Sequence, residues 1–223
     1  MRILVTGVKG QLGYDVVQEM EKRGLEAVGV DVEEMDITDK SACEKVITEA
    51  NVDAVIHCAA YTAVDAAEDN VEVCMKVNAE GTRNIAEVCK KLDIKMMYIS
   101  TDYVFDGEGT RPWEPDDERH PLNVYGQSKY EGELAVEELL EKFFTVRIAW
   151  VFGVNGKNFI KTMLRIGKER GVVFFRELFS VFLRFEDRFF HRSFGFCSEL
   201  FFQFGAYYFF IHSRLRVCQR VIT

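Results

Sequence analysis

The feature that most constrains the fold is a loop with regularly spaced glycines close to the N-terminus. Gly7, Gly10 and Gly13 follow a short apolar run, residues 2–6, and precede a stretch with helical spacing of apolar residues, 11–23. Glycines here let backbone amides approach a pyrophosphate at a helix N-terminus, and the last one lets the helix pack closely on the strand. Turns collect glycine for other reasons, so the spacing alone is weak. The order strand, glycine loop, helix predicts a dinucleotide-binding unit.

Strands and helices alternate along the rest of the first 149 residues. The predicted strands are Arg2–Thr6, Ala27–Val30, Val52–His57, Lys95–Ser100 and Thr145–Ala149. The predicted helices are Gln11–Arg23, a segment from Thr38 or Asp39 to about Ala50, stretches around Asp69–Asn78 and Thr82–Leu92, and Asn123–Lys142. All three prolines fall in one loop, Asp106–Leu122. This order predicts an α/β fold, a doubly wound, Rossmann-like parallel sheet with right-handed crossovers.

Charge and cysteine usage exclude several classes of function. The chain carries 28 Lys and Arg against 36 Asp and Glu, a net charge of −8, which disfavours nucleic-acid binding. Its six cysteines lack Cys-x-x-Cys spacing, which argues against a zinc site or a disulfide framework. No apolar stretch approaches the ~20 residues of a membrane helix, and no signal peptide is visible. We therefore expect a cytoplasmic protein with no nucleic-acid or membrane partner.

The composition changes abruptly after Val173. The last 50 residues hold 14 of the 19 phenylalanines and 7 arginines, but no lysine, proline, asparagine or methionine. Two interpretations stay open: a phenylalanine-rich fragment of a substrate domain, or a tail translated out of frame, which the composition favours. We therefore expect a dinucleotide-binding domain at 1–173 and an atypical tail at 174–223. The smaller substrate domain is then missing or replaced.

A Tyr-x-x-x-Lys pair and an upstream threonine are the candidate catalytic residues. Tyr125 and Lys129 lie four residues apart on a predicted helix and share one face. A phenol with a pKa near 10 is a poor acid at neutral pH, and a nearby ammonium would lower that pKa. Tyr125 would then protonate a carbonyl oxygen as hydride arrives, and Lys129 would hold the nicotinamide ribose. Thr101 follows a predicted strand, at the sheet edge where ligands of such folds bind.

The end of the second predicted strand bears on the choice of cofactor. Asp31 lies 18 residues after Gly13, where a carboxylate bonds the ribose hydroxyls of NAD and repels the 2′-phosphate of NADP. Lys9 in the glycine loop would offset this repulsion, although a solvated surface charge is the simpler interpretation of that residue. The choice between NADPH and NADH stays open on these residues.

Six motifs occur in order along residues 1–171. They are Gly7–Gly13, Met35–Asp39, Ala59–Asp65, Ser100–Gly107, Tyr125–Lys129, and Trp150–Gly153 followed by Gly156–Phe159. Together they resemble the dTDP-4-dehydrorhamnose reductases, which are extended short-chain dehydrogenases/reductases. The resemblance implies reduction of the C4 ketone of dTDP-4-dehydro-L-rhamnose to dTDP-L-rhamnose with NADPH, or with NADH in some members. It implies a dTDP-sugar as partner and allows a homodimer.

The resemblance also assigns roles to individual positions. Its catalytic residues match Thr101, Tyr125 and Lys129, and the sugar would meet Thr101, Asp102 and Trp150. Its cofactor positions match Gly10, Gln11 and Leu12 at the pyrophosphate, Asp36 and Ile37 at the adenine edge, and Ala60, Tyr61 and Thr62 under the cofactor. Asp15 stands near a position where some members bind magnesium at a dimer interface. The other partners of that ion would lie beyond the matching segment, so we expect no metal.

The chain departs from the family after Gly171. The family continues with an Asp-Gln-x-Gly-x-Pro-Thr segment and a small domain that grips thymidine diphosphate, and neither is present. Remote binding energy positions the substrate for hydride transfer, so we expect cofactor binding with little turnover. Two alternatives are a non-catalytic NADP-binding regulatory subunit of a methionine adenosyltransferase and a sugar-nucleotide epimerase. The intact catalytic residues favour an enzyme, and Ser100–Gly107 with Trp150 favour the reductase.

Several other polar and aromatic residues receive structural interpretations. We expect His57 to be a hydrogen-bonded histidine at a strand end and His120 to be exposed. Asn78 and Arg147 are expected to fix loops near the strand ends. Trp113 either covers the substrate or packs under the proline-containing loop.

Overall fold

The computed structural model describes residues 1–108 and 111–170, so the predicted tail at 174–223 lies outside the described residues. Residues 1–151 form one compact unit. Its strands are β1 (Arg2–Thr6), β2 (Glu26–Val30), β3 (Ala54–His57), β4 (Lys95–Thr101) and β5 (Phe143–Ile148). Its helices are α1 (Gln11–Lys22), α2 (Lys40–Ala50), α3 (Val64–Ala67), α4 (Val71–Met75), α5 (Gly81–Leu92) and α6 (Val124–Leu139). A second unit begins at Phe152, and its described part carries α7 (Phe159–Arg170).

The five strands form one parallel sheet in the order β2-β1-β3-β4-β5. The chain moves outwards from β1 to β2 and then returns to the other side of β1 with β3. Ligands of open α/β sheets bind at the carboxyl ends of the strands where the order reverses in this way. The predicted α/β class and the parallel, doubly wound sheet are therefore confirmed, and the crevice is expected next to β1 and β3.

Side chains alternate between the two faces of the sheet, and each face is covered by helices. On one face, Leu4 and Val55 are fully buried in the main core, together with residues of α2, α5 and α6. On the other face, Ile3 and Val5 pack with Met20 and further apolar residues of α1. Helices on both faces explain why the strands read as continuous apolar runs.

Local sequence signals set most of the helix ends. The carboxylate of Asp39 accepts hydrogen bonds from the amides of Ser41 and Ala42, which makes it the N-cap of α2. Asn123 caps α6 through the amide of Gly126, at 2.7 Å. The stretch predicted as helical around Asp69–Asn78 is less regular, because it follows the short α3 and divides into α4 and a π-helical turn, Lys76–Glu80. None of the helices in the described ranges is long and apolar enough to cross a membrane.

Candidate active site

The glycine loop between β1 and α1 leaves no room for side chains at two of its positions. Gly7 has a φ of +69°, and a Cβ there would lie 2.8 Å from the backbone of Ala59. A Cβ on Gly13 would lie 2.3 Å from the carbonyl oxygen of Gly7, so α1 packs directly on the loop. Gly10 stands at the N-cap of α1 and donates its amide to Gly7 at 3.0 Å. Because these glycines carry no side chains, an anionic group can come close to the backbone amides at the N-terminus of the helix, where the helix favours negative charge.

Asp31 stands at the carboxyl end of β2, beside the glycine loop. Its carboxylate accepts the amide of Lys9 at 2.9 Å and that of Val32 at 2.9 Å. The Lys9 side chain is exposed and pairs with Glu33 at 2.6 Å, so the interpretation of Lys9 as a surface charge is confirmed. Glu34 adds a third carboxylate, which accepts the Asp31 amide at 2.9 Å. The end of β2 is therefore strongly acidic.

Asp36 and Ile37, predicted at the adenine edge, lie in the turn before α2. The Asp36 carboxylate accepts both the amide and the hydroxyl of Thr38, at 2.9 and 2.8 Å. Ile37 is buried and packs against Gly81, where a Cβ would come within 2.8 Å of the isoleucine side chain. Its carbonyl accepts a hydrogen bond from Asn84 at 2.9 Å. Both residues thus define the shape of this turn.

The loop after β3 is held by Asn78, which lies on the π-helical turn and is 1% exposed. The Asn78 amide group bonds both the N–H and the carbonyl of Tyr61, at 2.8 and 3.0 Å. It also donates to the hydroxyl of Ser128 at 2.9 Å, and that hydroxyl donates to the carbonyl of Tyr125 at 2.7 Å. Asn78 thereby joins the loop of Ala60, Tyr61 and Thr62 to α6, and its predicted structural role is confirmed.

Thr101 and Tyr125 meet at the carboxyl end of β4. Thr101 is buried, donates to the Asp102 carboxylate at 3.0 Å and accepts the amide of Tyr103. Burial raises the pKa of Tyr125 to about 12, against a smaller lowering by a hydrogen bond with the Thr101 hydroxyl. Partial desolvation by its neighbours raises the pKa of Asp102, although its hydrogen bond with Thr101 acts in the opposite direction.

In the chain without cofactor, burial outweighs any lowering of the pKa of Tyr125 by a neighbouring group. Lys129 lies one helical turn further along α6 and is 2% exposed. Burial lowers the pKa of Lys129 to about 7, against a smaller raising by the charge of Glu133. The cost of removing the phenolate from water therefore decides the pKa of Tyr125.

The surroundings of Lys129 are mostly apolar. Its Nζ lies 4.2 Å from the ring centre of Tyr98, in cation–π geometry. The side chain is 2% exposed and ends in three N–H donors, so it suits a ligand that brings hydroxyl groups to it.

Trp150 follows β5 in a strained backbone conformation. It has a φ of +55°, in the left-handed region, and is 71% exposed. Non-glycine residues rarely adopt this conformation, and such residues cluster at functional sites. The side-chain amide of Gln11, at the start of α1, donates to the carbonyl of Val151 at 3.0 Å. The glycine loop is thus tied to the chain that follows β5.

A buried ion-pair cluster on α6 is the feature that sequence analysis missed. Glu133 is fully buried and accepts two hydrogen bonds from Arg147, at 2.8 and 2.7 Å, and one from Arg119, at 2.9 Å. Arg147 also donates to the carbonyl of Pro115 at 2.9 Å, which confirms its predicted role in fixing a loop. The sequence carries one signal for the position of Glu133: it lies four residues after Lys129, which places both residues on one face of the helix.

The remaining polar and aromatic residues take structural roles. The ring nitrogens of His57 bond the hydroxyls of Thr6 at 2.8 Å and Thr82 at 3.2 Å, and burial lowers the pKa of this histidine to about 3. The rings of Trp113 and Phe105 stack with their centres 4.6 Å apart, so Trp113 packs under the proline-containing loop. In the described part of the chain, no three His, Cys, Asp or Glu side chains are grouped to hold a metal.

Comparison with known proteins identifies the family. Residues 1–176 match the family model described as the RmlD substrate binding domain. The chain belongs to this family. Among its relatives, the dTDP-4-dehydrorhamnose reductase of Mycobacterium tuberculosis (strain H37Rv) is 40% identical over 177 residues, which cover 77% of this chain and 58% of that protein.

Solved structures of this family have the same fold. The dTDP-4-dehydrorhamnose reductase of Clostridium acetobutylicum is 41% identical with a TM-score of 0.73. That of Bacillus anthracis, solved in complex with NADP, is 42% identical with a TM-score of 0.74. Each match covers 76% of this chain and 60% of the other chain. The chain therefore spans about three fifths of the length of these family members, and the resemblance found in its motifs is confirmed.

The structure brings most of the positions assigned by the resemblance to one edge of the sheet. The glycine loop follows β1, Ala60–Thr62 follows β3, and Thr101 ends β4. The first two turns of α6 add Tyr125 and Lys129. Because the strands are parallel, all these segments lie at their shared carboxyl edge.

Proposed function

We propose that this chain carries the cofactor-binding and catalytic part of a dTDP-4-dehydrorhamnose reductase. The reaction is the NADPH-dependent reduction of the C4 ketone of dTDP-4-dehydro-L-rhamnose to dTDP-L-rhamnose. The observation that carries the proposal is that Thr101 at the end of β4 and Tyr125 and Lys129 on the first two turns of α6 lie at the same edge of the sheet as a glycine loop with no space for a side chain at Gly7 or Gly13. Relatives with this reductase name at about 40% identity support the substrate, and the NADP complex of one of them supports the cofactor.

The residues present fit a dinucleotide cofactor. Side chains are sterically excluded at Gly7 and Gly13, and Gly10, Gln11 and Leu12 begin the helix that would hold the pyrophosphate. Asp31, Asp36 and Ile37 would line the adenosine half, and Ala60, Tyr61 and Thr62 would lie under the nicotinamide half. The amine of Lys129, a residue that is 2% exposed, would bond the hydroxyls of the nicotinamide ribose.

The chemistry assigned to the chain is the transfer of one proton. The bound cofactor supplies hydride to the carbonyl carbon. Tyr125, whose pKa of about 12 keeps it protonated at neutral pH, donates its phenolic proton to the carbonyl oxygen. Thr101 would bond the same oxygen, and the charge of Lys129 would stabilise the phenolate that forms. Asp102 and Trp150 would meet the sugar.

The domain organisation belongs to the same proposal. We assign residues 1–173 to a NAD(P)-binding domain with the catalytic residues and residues 174–223 to an atypical tail. The family match through residue 176 and the change of composition after Val173 support this division. A free dTDP-sugar in the cytoplasm is the proposed partner, and a homodimer is one assembly that the proposal allows.

The proposal is tested by removing one hydroxyl group. In a version of the chain continued in frame into the substrate domain of the family, Tyr125→Phe keeps the ring and should lower single-turnover NADPH oxidation with the keto-sugar by at least ~100-fold, since a general acid typically contributes this much. NADPH affinity, measured by fluorescence titration, should stay within about twofold. Tyr130→Phe is the matched control, because Tyr130 lies on the same helix with its ring 4.7 Å from the Arg119 guanidinium. Equal oxidation rates in the wild type and Tyr125→Phe would refute the acid role.

A further inference from the structure

Glu133 is a buried charge that the proposed chemistry does not use. It lies in the middle of α6 and is fully buried. Both of its oxygens accept hydrogen bonds from Arg147, and Oε2 also accepts one from Arg119. A buried carboxylate is costly unless it is paired in this way, and the two arginines lower its pKa despite burial. Glu133 is therefore an anion at neutral pH.

The two arginines connect this anion to other elements near the candidate active site. Arg119 also bonds Glu137 through two nitrogens, at 2.7 and 3.1 Å. Arg147, on β5, bonds the carbonyl of Pro115 and lies 5.0 Å from the ring centre of Phe105. The position of the Glu133 carboxylate is thus fixed from α6, from β5 and from the proline-containing loop.

Glu133 lies one helical turn from Lys129, and both side chains are buried on the same face of α6. Several elements in the described part of the chain carry titratable groups that interact electrostatically with Lys129. They are His57 on β3, Cys58 after β3, Cys74 on α4, Tyr98 on β4, and Glu133 on α6; Tyr125 lies one turn before Lys129 on α6. Glu133 is the one carboxylate among them.

We propose that Glu133 is a positioning residue for Lys129, whose ammonium its fixed carboxylate keeps charged and directed into the candidate active site. Burial by itself would favour the neutral amine, and Glu133 is the largest influence that opposes burial. Removal of this anion would also leave Arg147 without the carboxylate of Glu133, whereas Arg119 would keep Glu137, and an unpaired Arg147 cation disfavours a further cation nearby. The proposal rests on the proposed function only for the catalytic role of Lys129. What the experiment measures is the charge of the Lys129 side chain.

The test is a direct titration of Lys129 in the full chain without cofactor or substrate. Lysines carrying 13C at Cε are followed by NMR from pH 5 to 11, and the Lys129 signal is assigned by its loss in Lys129→Met. Glu133→Gln keeps the size and an acceptor for the arginines but removes the charge. The midpoint of the Lys129 signal should fall by about one pH unit in this variant.

Arg119→Gln is the matched control, because it breaks the same cluster and leaves the charge of Glu133. Its Lys129 midpoint should rise or stay unchanged. An unchanged Lys129 midpoint in Glu133→Gln would overturn the proposal. An equal fall of the midpoint in both variants would overturn it as well, because a general loosening of the structure around the cluster moves the midpoint of both variants in the same direction. If Glu133→Gln does not fold, a fall of the midpoint in Arg119→Gln overturns it by itself. Failure of the reductase assay with this titration intact would count against the proposed function alone.

Discussion

The buried lysine should cost the protein stability, and replacing it should return that stability in a pH-dependent manner. Lys129 has a pKa of about 7 in the folded chain against an ordinary value of 10.5. Between these two values the unfolded chain binds more protons than the folded one, so stability rises with pH across this window. A drop of about 3.5 pH units corresponds to roughly 4 kcal/mol at pH 7 and to less than about 1 kcal/mol at pH 10.

Lys129→Met should therefore unfold at higher urea concentration than the wild type at pH 7. Methionine fills similar space without a charge, but it loses the cation–π contact with Tyr98, which is worth about 1 kcal/mol. We expect the variant to gain about 2–3 kcal/mol at pH 7 and nothing, or a small loss, at pH 10. The assay is equilibrium urea unfolding of both proteins at pH 7, 8, 9 and 10.

An exposed lysine provides the control for this experiment. Lys90 lies on α5 and is exposed, so Lys90→Met should leave the pH dependence of unfolding as it is in the wild type. The reasoning is refuted if the stability difference between Lys129→Met and the wild type is the same at pH 7 and pH 10. A wild type that is more stable than Lys129→Met at pH 7 would refute it as well.

Two further predictions concern the cofactor and the π-helical turn. Asp31→Ser should tighten NADPH binding about tenfold relative to NADH, because it removes a carboxylate from the place of the 2′-phosphate and keeps an acceptor for the Lys9 amide; an unchanged ratio in fluorescence titrations would disprove this role. Asn78→Ala should lower the free energy of unfolding by about 3 kcal/mol, because it removes the hydrogen bonds to the half-buried N–H and carbonyl of Tyr61 and to the buried hydroxyl of Ser128. Asn84→Ala, which loses a single bond to Ile37, should cost only about 1 kcal/mol in the same urea experiment.

The fold could be predicted because it depends on local patterns. Apolar runs such as Arg2–Thr6 mark buried parallel strands, and Asp39 and Asn123 mark helix starts by their capping side chains. The π-helical turn, Lys76–Glu80, could not be predicted, because no local pattern marks it and Asn78 within it bonds a loop that is distant in the sequence.

The electrostatics of the candidate site could be predicted only in part. The types and spacing of Tyr125 and Lys129 indicate proton transfer, but the depth of burial that raises the pKa of one and lowers that of the other depends on the tertiary structure. Glu133 looks like a solvated helix charge in the sequence. Its partners Arg119 and Arg147 lie 14 residues away in either direction and meet it only in the folded chain.

Titration of the 223-residue chain with NADPH at pH 7 tests the central claim most directly. We expect saturable binding of one NADPH per chain, because the glycine loop, Asp31 and Lys129 of the proposed dinucleotide site all lie within the described residues. A folded chain that shows no saturable change in NADPH fluorescence would contradict the account, whatever its activity with the keto-sugar.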